Sequence, residues 1–138
     1  FAISWSGACH DGIGVFKGWF DEYYQEALEN GYAKIPMFWR ENLLLSKKWF
    51  DDIRDTTPMM GLRMYEGPIL AIAGDKDELV PYYHAKEIVE NSKNENSKTV
   101  IVKNSNHTFN VLMPNESKAN DVIEQTIQWI NKVLMMNR

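Results

Sequence analysis

The sequence predicts an α/β fold built on a parallel sheet. Three short apolar segments read as strands, "FAISW" at 1 to 5, "PILAIA" at 68 to 73 and "KTVIV" at 98 to 102. Unbroken apolar character over so few residues suits strands covered on both faces. Helical patterns lie between and after them, and strands alternating with helices favour a parallel sheet. The composition agrees with a globular domain: 138 residues, 44% hydrophobic, 25% charged, formal net charge -4. The expected architecture is about three parallel strands with flanking helices and a helical insert.

The elements follow in order. After the first strand, Phe16, Trp19, Phe20, Tyr23, Ala27 and Leu28 recur at helical spacing, and Gly31 stands where a left-handed cap is needed. A second helix is expected over 46 to 55, with Trp49, Phe50 and Ile53 on one face and Pro58 barring its extension. No further strand is visible from 16 to 66. Residues 16–60, which include Trp19, Trp39 and Trp49, are therefore expected to form a helical insert or a lid lining an apolar pocket. Beyond the middle strand, Pro81 suits a first helical position ahead of Ala85, Ile88 and Val89. "NSKNENSK" is a polar turn, and a final helix should bury Val122, Ile123, Ile127, Ile130 and Leu134.

Several classes of partner are excluded by composition. An acidic balance offers nothing to attract nucleic acid, and no apolar run nears the roughly 20 residues of a membrane span. Cys9 is the only cysteine, so no intrachain disulfide can form and a cytoplasmic location is expected. The chain opens at Phe1 directly in a strand, which suggests a piece of something longer.

"AIAGDKDELVP", residues 71 to 81, carries two carboxylates past the end of a strand. Ligands of open parallel sheets bind beyond the carboxyl ends of strands, where loops converge over a rigid base. Asp75 and Asp77 fall there, and His107 in "NSNHTF" follows the next strand. One crossover brings both loops to the same sheet edge. A carboxylate beside a histidine is two thirds of a catalytic triad, because a hydroxyl nucleophile needs a base and the base needs an orienting anion.

These residues resemble the C-terminal part of the α/β-hydrolase superfamily over 66 to 138. "GPILAIAGDKDELVP" is similar to that superfamily's acid strand and loop, and the resemblance implies Asp77 as catalytic acid, with Asp75 a variable position. "VKNSNHTF" resembles its histidine segment, which implies His107 as base. Asn104 stands where many members have glycine, and asparagine tolerates the left-handed backbone. Upstream, "FAISWSG", "WFDEYYQEALENGY" and "SKKWFDDIRDTTPM" are similar to feruloyl esterase-like and carboxylesterase-like members. The resemblance implies that 1–138 is the C-terminal half of one α/β-hydrolase domain, a serine hydrolase of carboxylic esters. It implies a small-molecule ester substrate and no cofactor or metal.

The half carrying the nucleophile elbow is absent: no G-x-S-x-G occurs. Ser6 in "SWSGA" follows a strand, but Cys9, His10, Asp11 and glycines 12 and 14 do not open a helix as an elbow must. Ser6 is expected to end the strand after the elbow. Cys9 beside His10 is not a catalytic pair, since adjacent side chains rarely meet, and is expected to be an inert core thiol. His10 with Asp11 lacks a third metal ligand. His84 is expected at the surface or between helices. Two other classes compete: a haloacid-dehalogenase-type phosphatase, whose D-x-D start "DKDELV" imitates, and a non-catalytic α/β association module. Half a sheet leaves an open strand edge, so a homo-oligomer or a complex with the missing half is expected.

Overall fold

The computed structural model describes residues 1–37 and 40–136, so Trp39 lies outside the described residues. The chain divides into two compact units, one of Phe1–Cys9 with Met59–Arg138, the other of His10–Pro58.

The first unit holds the parallel sheet. Strands β1 (Ala2–Trp5), β4 (Ile69–Gly74) and β5 (Lys98–Val102) pair in the order β1-β4-β5, both neighbours parallel. The central strand is buried at every residue, which explains its unbroken apolar sequence. Alternate side chains go to opposite faces. Leu70 and Ile72 pack with Val102, Phe109 and the helix α5 (Ala119–Met136), whereas Ile69, Ala71 and Ala73 pack with Cys9 and with Ala85 and Ile88 of α4 (Tyr83–Glu90). The short helix α3 (Pro58–Met64) adds Met59 and Leu62 to the latter face.

The buried stripe of α5 differs from expectation. Val122, Thr126, Trp129 and Val133 face the core, while Ile123, Ile127 and Leu134 are about half exposed and Ile130 is only partly covered. Two apolar stripes compete on this helix, and Trp129 decides between them: its large ring fills the core and its indole N–H donates to the Asn96 carbonyl at 3.0 Å. At α4, Pro81 stands just before the helix and its carbonyl accepts the His84 N–H at 3.0 Å.

The second unit is not purely helical. Helix α1 (Lys17–Asn30) follows a single 3-10 turn at Gly14–Phe16 and ends at Gly31, whose φ of 81° supplies the left-handed cap. Phe20 and Ala27 are buried there, but Leu28 points off the stripe into solvent. Between α1 and α2 (Lys47–Arg54) runs an antiparallel hairpin of β2 (Tyr32–Ile35) and β3 (Leu43–Ser46), where no strand was expected. Its inward Ala33, Ile35 and Leu45 alternate with exposed Tyr32, Lys34 and Leu44. Four-residue strands give too few alternations to stand out, and pairing completes them. Ser46 ends β3 and caps α2, its Oγ accepting the Trp49 N–H at 3.1 Å. Phe50 is fully buried among Phe20, Tyr24 and Trp49. On the outer face of α2, the hydrogen bond from Lys47 lowers the pKa of Asp51.

Candidate active site

The loops after β4 and β5 are stitched together backbone to backbone. Asp75 N–H donates to the Val102 carbonyl at 3.0 Å and Lys76 N–H to the Ser105 carbonyl at 2.9 Å. Gly74 makes this approach possible: a Cβ there would lie 2.1 Å from the Ser105 carbonyl oxygen.

Asp75 belongs to the stitching. Its Oδ1 accepts the Ser105 N–H at 3.3 Å, and Lys103 lies 3.7 Å from Oδ2. Asp77 is different. Its side chain has no exposure, and the two oxygens divide their work. Oδ1 accepts the N–H groups of Leu79 (3.0 Å) and Val80 (2.8 Å), which fixes the loop and the carboxylate plane. Oδ2 lies 2.9 Å from His107 Nδ1. An ionised carboxylate only accepts, so Nδ1 carries the hydrogen and the lone pair of the neutral ring is on Nε2. The His107 side chain is 36% exposed. A base held in one tautomer by a buried anion can take a proton from a hydroxyl and return it to a leaving group.

The histidine loop is shaped by asparagines. Asn104, Phe109 and Asn110 have φ of 53°, 55° and 57°, left-handed values that Asn accepts at lower cost than most residues. Buried Asn110 donates to the Asn104 carbonyl at 2.7 Å, and Asn106 Oδ1 accepts from the backbone of both Thr108 and Asn110. Phe109 drops into the core and meets Trp5 edge-on at 6.4 Å. Sequence reasoning missed the roles of Asn106 and Asn110, although a cluster of Asn and Ser around a histidine is a turn signal.

Ser6 directly follows β1, with φ 50°. Its N–H bonds the Ile72 carbonyl, and its Oγ donates to the His107 carbonyl at 3.0 Å. The hydroxyl thus straps the main chain of the histidine. His84 is not at the surface; it is 1% exposed, with Nδ1 3.4 Å from Cys9 Sγ. Cys9 is buried, and its side chain meets His84, a partner that the Cys9–His10 adjacency in sequence did not suggest. No described helix is long and apolar enough to cross a membrane.

Comparison with known proteins bears on the fold and the family. No curated protein matches the chain. Among solved structures, a bromoperoxidase from Bacillus anthracis is similar at 24% identity with a TM-score of 0.50, covering 62% of this chain. The likeness is one of fold, and this chain spans 29% of that structure's length. The prolyl oligopeptidase family model matches residues 10–137, nearly the whole chain including Asp77 and His107. The chain belongs to the prolyl oligopeptidase family, and with it to the α/β-hydrolase superfamily.

Proposed function

We propose that Asp77 and His107 are the acid and base of a Ser-His-Asp triad in a serine hydrolase acting on small-molecule carboxylic esters. The observation that carries this reading is the 2.9 Å contact between Asp77 Oδ2 and His107 Nδ1, made by an aspartate whose other oxygen is already held by two backbone N–H groups. In this reading His107 Nε2 takes the proton of a serine hydroxyl contributed from outside these 138 residues. That serine attacks the ester carbonyl. The imidazolium, stabilised by Asp77, then protonates the departing alkoxide, and water repeats the sequence to release the acid. The oxyanion donors also come from outside the chain.

A second reading is favoured by the family match, whose name is that of a peptidase family. Peptide hydrolysis uses the same proton transfers with an amine as leaving group, so the pair would serve either substrate. One experiment separates them: the full-length enzyme is assayed on p-nitrophenyl acetate and on a chromogenic prolyl peptide anilide, with His107→Ala as control. The proposal expects ester turnover that fails in the variant. Ester turnover unchanged by His107→Ala would refute the triad, and peptide turnover alone would refute the ester assignment.

A further inference from the structure

The turn that carries His107 contains a backbone conformation that its own residue does not favour. Phe109, two positions beyond the histidine, has φ 55°. Asparagine takes such values readily, but a bulky side chain stays left-handed only where its surroundings over-determine it. The main chain is restrained on both sides: the Phe109 N–H donates to the Asn106 carbonyl at 3.0 Å, and its carbonyl accepts the Lys118 N–H at 2.8 Å. The ring is restrained as well. It is 7% exposed in the core and meets the Trp5 ring edge-on, with centroids 6.4 Å apart and planes at 84°.

Trp5 is itself held in one orientation. It is the last residue of β1, in register with Ile72 of β4, and it is 49% exposed. Its indole N–H donates to Thr126 Oγ1 of α5 at 3.2 Å, and that hydroxyl gives its own hydrogen to the Val122 carbonyl at 2.7 Å, leaving a lone pair for the indole. Contacts thus run from α5 through Trp5 to Phe109 and end two residues from the imidazole. Resting on the reading of His107 as the base, we propose that Trp5 is a positioning residue for it, bracing the histidine turn through Phe109. Asp77 fixes the tautomer and plane of the ring; Trp5 fixes where the main chain beneath that ring stands. The distinction matters because Nε2 has to meet a serine oxygen presented from outside the chain, and a misplacement of about 1 Å can lose about a hundredfold in rate. A half-exposed ring adds less to the core than Trp129 does, so its removal acts on the turn more than on the fold.

The test is steady-state kinetics of the full-length enzyme on p-nitrophenyl acetate, beside proton NMR of the His107 Nδ1–H, which resonates far downfield when bonded to a carboxylate. Trp5→Ala should lower kcat about 10- to 100-fold with KM within about twofold, and the Nδ1–H signal should persist but broaden, reporting an intact pair on a looser turn. Trp5→Phe keeps an edge against Phe109 and should lose only about threefold. Thr126→Val keeps the volume but removes the acceptor of the indole; it should match Trp5→Phe, and the double variant should be no worse than either, since each breaks the same link. These milder variants carry the test if Trp5→Ala does not fold, with circular dichroism as the check. Unchanged kcat or a sharp Nδ1–H line in Trp5→Ala, a change in KM alone, a loss in Trp5→Phe as deep as in Trp5→Ala, or additive losses in the double variant would each overturn the proposal. Ester turnover that survives His107→Ala refutes the base reading instead, and the line width then still reports whether Trp5 holds the turn.

Discussion

Gly74 and Ser105 touch backbone to backbone, so closely that a methyl group on Gly74 would overlap the Ser105 carbonyl. The contact holds the acid loop against the histidine loop, and the 2.9 Å Asp77–His107 pair is built on top of it. Gly74→Ala should therefore push the loops apart. We expect a loss of about 1–3 kcal/mol, the usual cost of overpacking, read by urea denaturation. A variant with wild-type stability would show that the loops can separate without penalty.

The two aspartates should respond unequally in the full-length enzyme. In Asp77→Asn, Oδ1 can still accept from Leu79 and Val80, but an amide then faces Nδ1 and forces the wrong ring tautomer. Ester hydrolysis should fall about 10⁴-fold in kcat. Asn at 75 keeps the acceptor for Ser105 N–H and loses only the screened contact with Lys103, which is 81% exposed. Its kcat should change by no more than a few-fold; the reverse ranking in steady-state kinetics would reassign the acid.

Ser6→Ala discriminates between a strap and a nucleophile. As a strap, its loss leaves the His107 carbonyl without this donor and costs about 1–2 kcal/mol, with kcat reduced by about tenfold or less. A nucleophile would take kcat down about 10⁶-fold. Burst kinetics with p-nitrophenyl acetate on the variant full-length enzyme separates the two outcomes.

On α5, Trp129→Ala should cost about 3–5 kcal/mol, since the ring is 3% exposed and packed in the core. Ile127→Ala, at a site 52% exposed, should cost about 0.5 kcal/mol or less. Thermal unfolding of the pair checks which stripe faces inward.

The chain by itself should self-associate. In the described residues β1 pairs only with β4, and Phe1, Ile3 and Trp5 are 54%, 37% and 49% exposed. Light scattering should report a dimer or larger species that rises with concentration; a monomer throughout would contradict the expectation.

What could be read from sequence was whatever a single residue type or a long pattern enforces. The buried strand "ILAIAG" admits few other fates, and Gly31 could cap α1 because glycine alone adopts φ 81° without strain. Asp75, Asp77 and His107 were legible through their positions after successive strands, with a contact that needed only the crossover parallel strands require; the choice of Asp77 over Asp75 came from the resemblance to the α/β-hydrolase acid loop. The hairpin β2–β3 was not, because its inward Ala33, Ile35 and Leu45 gain their meaning from cross-strand pairing. Nor was the inward face of α5, where two stripes have comparable apolar content and only the tertiary fit of Trp129 chooses. The Cys9–His84 contact joins residues 75 apart, a proximity that local pattern cannot express.

The hydrogen bonds at His107 also carry an order of assembly. The bond to Asp77 spans 30 residues and lies within β4, α4, β5 and the loop that follows; the bond from Ser6 spans 101. Loop closure makes the longer contact costlier by about 1 kcal/mol in chain entropy. Nucleation is thus favoured in the stretch from 69 to 107, with β1 arriving afterwards on a scaffold where the imidazole is already oriented. Ser6 then acts as a latch. Amides of β1 should exchange with deuterium faster than those of β4, and a circular permutant that moves residues 1 to 9 past the C-terminus should still form the Asp77–His107 pair.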